Sequence, residues 1–379
     1  MSNPFPNPRR SHREWSIDVL RAAAVLLVIG HHGGYAGDGL PQPLALAMRV
    51  WNRSGWIGVD LFFVLSGFLV SGLLFREWQL HGRLQAGRFL ARRGLKIYPA
   101  FYAYLLIAIA ARLMTGAVVV PGTVLSEALF VQNYGSRFLI HTWSLAVEEH
   151  FYLLLTAAFV WARERVLNLR LVVMAFAAVA CVVLAGRCAT WGLTHSTDAV
   201  LYMTHSRIDA LSAGVALACL YHVRPATFAA AARRWLALLA LAAALLMPAV
   251  VLRNTHAFML TVGLTTTYAG FVALLLVAVG NFQEEKPPAP AAVLAWIGKY
   301  SYSIYLWHLP VRVALIWLAE RGLGVASGGP AFGIYLLLSL AVGIGLARIV
   351  EIPGLMLRDR WFPSRTGAPT VTVEPSSVR

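Results

Sequence analysis

Ten stretches of this 379-residue chain are apolar over about the length a helix needs to cross a bilayer: residues 16–35, 54–75, 97–115, 145–162, 171–187, 199–221, 235–252, 257–280, 296–318 and 330–350. Nothing else in the chain constrains the fold as strongly. Backbone polar groups in lipid must find their partners within the protein, so runs of this length are read as helices. Composition agrees, with 59% hydrophobic and 13% charged residues, where a soluble domain is about half apolar and about a quarter charged. A soluble globular protein, a disordered chain and a disulfide scaffold are thereby excluded. The expected fold is all-α, a polytopic membrane protein with about ten transmembrane helices.

The net charge of +15 would suggest nucleic acid in a soluble protein, but in a membrane chain it first sets orientation. With the N-terminus inside, cytoplasmic segments hold about 20 Lys and Arg and external loops about 6, the bias expected of cytoplasmic N- and C-termini. The densest inside loop, 76–96, carries Arg76, Arg83, Arg88, Arg92, Arg93 and Lys96; the external set is Arg49, Arg53, Arg137, Arg187, Arg253 and Arg321. Arg9, Arg10 and Arg13 ahead of an apolar run look like a secretory signal, yet Asp18 and Arg21 interrupt that run, so it reads as an uncleaved first span. The chain divides into a basic cytoplasmic tail at 1–15, a transmembrane domain at 16–350, and a cytoplasmic tail at 351–379 whose Pro, Ser and Thr content suggests partial disorder. Segment 120–143 is external and is expected to lie on, or dip into, the outer surface. No soluble catalytic domain or repeat is visible. Cys181, Cys188 and Cys219 lie in or beside apolar runs, without metal-ligand spacing, and read as packing residues; no metal is expected.

Ionisable side chains inside spans are costly or paired, so these exceptions are where function is sought. Asp18 and Arg21 are three apart and can pair. Arg21 and His32 are eleven apart, three turns and about 16 Å along one face, while His31 points about 100° away. A fixed cation near the cytoplasm and a titratable imidazole well across the bilayer suit a long anionic ligand lying along the span. The plainer reading is an interfacial ion pair and a solvated rim histidine. Glu148 and Glu149 fall in the first turns of the fourth span, where the helix dipole alone favours them. At about the depth of His32, they are also placed to orient its imidazole. Arg88, Arg92 and Lys96 recur every four residues with Arg93 beside them, fit either for phosphates or for lipid headgroups. Further polar groups are Asp60 in the second span, Arg207 and Asp209 in the sixth, and Lys299, His308 and Arg312 in the ninth, interleaved with Tyr300, Tyr302, Tyr305 and Trp307.

Several of these residues sit in familiar strings. Ile17-Asp18-Val19-Leu20-Arg21 with ten residues to His32, Gly58 to Phe68 (GVDLFFVLSGF), Arg88 to Pro99 (RFLARRGLKIYP), Trp143 to Tyr152 (WSLAVEEHFY), Arg207 to Leu211 (RIDAL) and Ser301 to His308 (SYSIYLWH) follow one another across nearly the whole chain. In that order they resemble the acyltransferase-3 family of integral membrane acyltransferases. The resemblance implies a ten-helix domain that takes an acyl group, usually acetyl, from cytoplasmic acetyl-CoA and passes it to a hydroxyl, commonly of a surface glycan. Carried over, the arginine-to-histidine motif lands on Arg21 and His32, the glutamates on Glu148 and Glu149, and the basic loop on Arg88, Arg92, Arg93 and Lys96. Lysine stands at 96 where the family often has arginine, which keeps the charge and loses bidentate geometry. Some relatives carry an extracytoplasmic hydrolase-like domain; its absence here implies action alone, with a separate partner, or as a homo-oligomer.

The expected function is therefore O-acylation from acetyl-CoA in a bacterial plasma (inner) membrane, with His32 as general base or acyl acceptor and Glu148 or Glu149 orienting it. Arg21, Arg88, Arg92, Arg93 and Lys96 would hold the donor phosphates. Asp18, Asp60, Arg207, Asp209, Tyr302 and His308 would support or meet substrate. Lipopolysaccharide, other polysaccharides, peptidoglycan and a macrolide-like small molecule are all open as acceptors. A proton-coupled transporter or flippase is the alternative from another class, since the same residue types form proton relays; a purely structural subunit fits the number of intramembrane ionisable groups poorly.

Overall fold

The computed structural model of the protein describes residues 15–35, 37–282, 286–322 and 328–365. Each of the ten apolar stretches contributes a helix: α1 (Trp15–His32), α2 (Gly58–His81), α3 (Ala86–Met114), α4 (Trp143–Ala162), α5 (Leu169–Thr194), α6 (Ile208–Val223), α7 (Trp235–Val251), α8 (Leu264–Asn281), α9 (Ser301–Glu320) and α10 (Gly328–Leu346). Among the described residues there is no strand, and eight helical segments are long and apolar enough to cross a membrane. The exceptions are α6 and α7. At Arg224–Pro225 the chain turns by 113° into a short helix, Pro225–Ala232, because proline supplies no N–H to continue α6. Helix α7 has 17 residues. The expected tenfold pattern thus survives as ten helices, α6 and α7 being the shortest of them.

Small residues bring the central helices together. A Cβ on Gly67 of α2 would lie 2.0 Å from the Leu211 carbonyl of α6, and one on Gly214 of α6 would lie 2.3 Å from the Val64 carbonyl of α2. The two backbones therefore touch, the close approach that small residues permit between helices in lipid. Helix α1 lies against the helix Ala289–Lys299 in the same way, with Gly298 under the Asp18 carbonyl.

Two departures from the sequence-based expectation have local causes, and the 120–143 segment takes the second of the two forms expected of it. Arg187, counted there as an external-loop residue, is fully buried within α5, where it meets Asp209. Beyond 351, where only a tail is expected, Ile352–Trp361 is a helix packed on α3; Gly354 there sits close to Pro99. Segment 120–143 folds inward through the helix Pro121–Ala128 and a turn at Gln132–Tyr134, burying Glu127, Gln132 and His141. Of the cysteines, Cys219 is buried, while Cys181 and Cys188 are on the exposed face of α5. The basic N-terminal tail up to residue 14 and the Pro/Ser-rich end from 366 onward lie outside the described residues.

Candidate active site

Two cavities lie between the helices, one above the other along α1. The inner one, about 290 Å³, is on the side of the basic 76–96 segment and is lined by Arg21, Arg93, Lys96, Glu148, Ser301 and Tyr302 amid apolar side chains of α2. The outer one, about 80 Å³, is lined by His31, His32, His141, Arg207, Trp143 and Asn254 among others. Val59 and Tyr305 line both. They form the wall between the two, and the helical spacing of Arg21 and His32 delivers one residue to each cavity.

In the inner cavity, Arg21 donates from Nε to Ser301 Oγ at 3.1 Å and lies 3.6 Å from Asp18, its expected partner. Glu148 accepts hydrogen bonds from Ser66 Oγ, at 2.9 Å, and from the Tyr152 hydroxyl, and stands 3.7 Å from the Arg93 guanidinium. Arg93 also donates to the Tyr152 hydroxyl and rests over that ring. Lys96 makes no hydrogen bond or ion pair among the described residues. Three cations and one carboxylate thus line this cavity; with Asp18 beside Arg21 and Glu148 beside Arg93, the Lys96 ammonium is left over, a charge that an anionic ligand would balance. Tyr302 donates to the Ile97 carbonyl at 2.8 Å.

The basic cluster divides. Arg93 and Lys96 reach the cavity, whereas Arg88 and Arg92 turn to the C-terminal segment: Arg88 donates to the Pro363 carbonyl, and Arg92 to the Phe362 carbonyl and, across 3.2 Å, to Asp359. The shared face expected of Arg88, Arg92 and Lys96 is therefore split, since the segment from Asp359 to Pro363 engages the first two.

In the outer cavity, His32 departs from its expected partner. Glu148 is bonded as above and Glu149 accepts from the Tyr98 hydroxyl at 2.9 Å, so neither orients His32. The group against its ring is His308, with His308 Nε2 3.2 Å from His32 Nδ1. His141 follows, its ring centre 5.3 Å from that of His308. Pro310 prepares this arrangement, because without its N–H the Leu306 carbonyl lacks its helical donor, and His141 Nε2 donates to that oxygen at 3.0 Å. His31 donates from Nδ1 to the Asn52 carbonyl at 2.8 Å and is thereby tied to the surface helix Gln42–Ser54.

Asp60 and Arg207 form a buried pair at 2.7 Å, with the Arg207 guanidinium set over the rings of Phe63 and Trp143. Asp209 pairs with Arg187 at 2.8 Å, and Arg187 also donates to Thr265 of α8 at 2.6 Å. Of these, Arg207 reaches a cavity; Asp60 and Asp209 serve as counter-ions. The sequence reading passed over His141, Arg187, Ser66 and Tyr152. For Arg187 a signal existed: the apolar run continues past it to Thr194, and Asp209 required a cation. Among the described residues no group of three or more His, Cys, Asp or Glu side chains is placed to hold a metal ion.

An all-helical bundle with apolar spanning helices and a polar, two-chambered interior defines a polytopic membrane protein with an internal reaction or transport site. The chain belongs to the acyltransferase-3 family, whose model, described as an acyltransferase domain, matches residues 14–348. Among similar proteins, the peptidoglycan O-acetyltransferase OatA of Listeria monocytogenes is 28% identical over 332 residues, covering 78% of this chain and 49% of that protein. A putative O-acetyltransferase of Staphylococcus aureus is 27% identical over 221 residues, 54% of this chain and 34% of that one. The putative peptidoglycan O-acetyltransferase YrhL of Bacillus subtilis is 26% identical over 356 residues, 81% of this chain and 50% of that one. The chain spans about half, or less, of the length of these curated relatives. No solved structure matches.

Proposed function

We propose that the chain is a membrane O-acyltransferase that moves an acyl group, acetyl in the simplest case, from acetyl-CoA on the cytoplasmic side to a hydroxyl of peptidoglycan or a related glycan outside the bacterial plasma membrane. The observation that carries this reading is the pair of cavities meeting at Val59 and Tyr305, one edged by Arg21, Arg93 and Lys96 and the other by His32. The three cations suit the donor's phosphates, and the apolar lining between them and the wall suits its uncharged arm. Family membership and the similarity to the peptidoglycan O-acetyltransferase OatA and the putative peptidoglycan O-acetyltransferase YrhL support acyl transfer and a peptidoglycan acceptor.

In the proposed reaction His32 Nε2 takes the proton of the acceptor hydroxyl as its oxygen bonds to the acyl carbon. The carbon–sulfur bond breaks, and the thiolate recovers the proton from His32, leaving an ester and free CoA thiol. A covalent acyl-His32 step would use the same nitrogen.

The test is acetyl-CoA consumption by purified protein in detergent with soluble peptidoglycan fragments as acceptor. The expected result is ester formation by the wild type and a loss of about 10²–10⁴-fold in His32→Ala. A His32→Ala protein working at the wild-type rate removes the proposed base. Because detergent leaves no compartments, absence of acetyl-CoA consumption by the wild type would favour the transporter reading.

A further inference from the structure

We infer that His308 is the positioning residue for His32, holding the place that a carboxylate holds in a nucleophile–base–orienter triad. The inference rests on the reading of His32 as the base. Its evidence is a chain of hydrogen bonds whose direction follows from what each atom can do. His308 Nδ1 lies 2.5 Å from the Tyr305 carbonyl oxygen, which only accepts, so the His308 proton is on Nδ1 and its Nε2 carries a lone pair. That lone pair faces His32 Nδ1 at 3.2 Å. The second neighbour of His32 Nδ1 is another acceptor, the Val28 carbonyl at 3.0 Å. Both neighbours call for a proton on His32 Nδ1, which leaves His32 Nε2 as the bare, basic nitrogen.

His308 is fit for this because burial and a backbone hydrogen bond hold its ring in place. Its side chain is fully buried. It is held by its own helix through Tyr305, and His141, fastened to the Leu306 carbonyl that Pro310 leaves free, packs beside it. The titratable groups that face His32 are His31, His141, His308 and Arg312. His31 is bonded to Asn52 and His141 to Leu306, so His308 is the imidazole whose lone pair is offered to His32. When His32 Nε2 takes the acceptor's proton, the Nδ1–H bond to His308 becomes charge-assisted and steadies the imidazolium until the proton passes to the leaving thiolate.

Two substitutions separate this role from packing. His308→Leu removes the acceptor, while His308→Gln keeps an acceptor oxygen on a side chain of similar reach. Each full-length variant in lipid nanodiscs is assayed with acetyl-CoA and soluble peptidoglycan fragments. The histidines of the same preparations are ¹⁵N-labelled and examined by solid-state NMR, with His32 assigned by its disappearance in His32→Gln. The expected result is a kcat about 10²-fold lower in His308→Leu with KM for acetyl-CoA within about twofold. Most of the activity should return in His308→Gln, and the bare Nε2 of His32 should be seen in the wild type and His308→Gln but mixed with the other tautomer in His308→Leu. A wild-type His32 protonated on Nε2 overturns the inference. So does an unaltered kcat in His308→Leu, or equal inactivity of both variants with the His32 tautomer unchanged. If instead His32→Gln retains full turnover, or the wild type shows none, the function reading fails, and the tautomer spectra alone still decide whether His308 sets the proton on His32.

Discussion

Arg92 and Arg93 are adjacent in sequence and face opposite ways, one to Asp359 of the C-terminal helix and the other to Glu148 in the inner cavity. On the proposed function the two are separable. Arg93→Ala is expected to raise the KM for acetyl-CoA by about tenfold or more, the value of a charge-assisted contact. Arg92→Ala should leave that KM unchanged and instead make residues near 352–365 more accessible to hydrogen exchange, a comparison made on one set of purified proteins. Arg187 is a second residue with an outsized role, since it joins α5 to the buried Asp209 of α6 and to the half-buried Thr265 of α8. Arg187→Leu leaves the buried Asp209 carboxylate without its ion-pair partner, at a cost of about 3–5 kcal/mol. The double variant Arg187→Leu, Asp209→Leu should recover much of the loss in thermal unfolding monitored in detergent; equal destabilisation of both variants would contradict this. The spacing of Arg21 and His32 was legible in sequence because both lie on one helix with a known period. The contact of His32 with His308 was not, because the two residues are 276 positions apart and only the packing of α1 against α9 joins them.

At the level of elements, the ten helices could be read from apolar runs, and the segment between α3 and α4 could not. Its apolar content is modest, and it is organised by a single carboxyl, Glu127. This group is fully buried and accepts from the Leu139 N–H at 2.9 Å and the Thr142 hydroxyl at 2.7 Å. Burial pushes its pKa up to about 7, against a usual carboxyl value near 4.5. The sign follows from proton binding. Between the ordinary carboxyl range and about pH 7 the folded protein holds more protons than the unfolded chain, so stability falls as pH rises through that window. Melting temperatures measured from pH 5 to pH 8, a range of about three pH units, should decline in the wild type and stay flatter in Glu127→Gln, which is neutral throughout. His141 rides on this segment, so the same loosening would reach the histidine cluster of the outer cavity.

On the scale of the whole molecule, the inner and outer cavities share Val59 and Tyr305 as lining residues, the latter fixed by hydrogen bonds to Ser144 and the His141 carbonyl, each at 2.7 Å. Filling that wall should divide the reaction in two. Val59→Trp is expected to keep binding of CoA to the inner cavity within about threefold while lowering acyl transfer by about 10²-fold, since only the meeting of the reacting groups is disturbed. Isothermal titration with CoA and the turnover assay, run side by side, check it; parallel loss of both would mean the cavity itself had collapsed. This division could not be seen in the sequence, where Val59 and Tyr305 are ordinary members of apolar helices and only their packing gives them a position. It also has an electrical meaning. Carrying one elementary charge through a membrane potential of about 100 mV takes about 2.3 kcal/mol. On the proposed function, a cavity lined by three cations on the inner side of the wall would keep the donor's phosphates where they enter, while the acyl group passes outward in exchange for the acceptor's proton, which returns to the thiolate. On that proposal transfer is electroneutral: it would neither draw on the membrane potential nor be opposed by it, and a wall that exchanges an acyl group for a proton would leave the ion gradients of the cell intact.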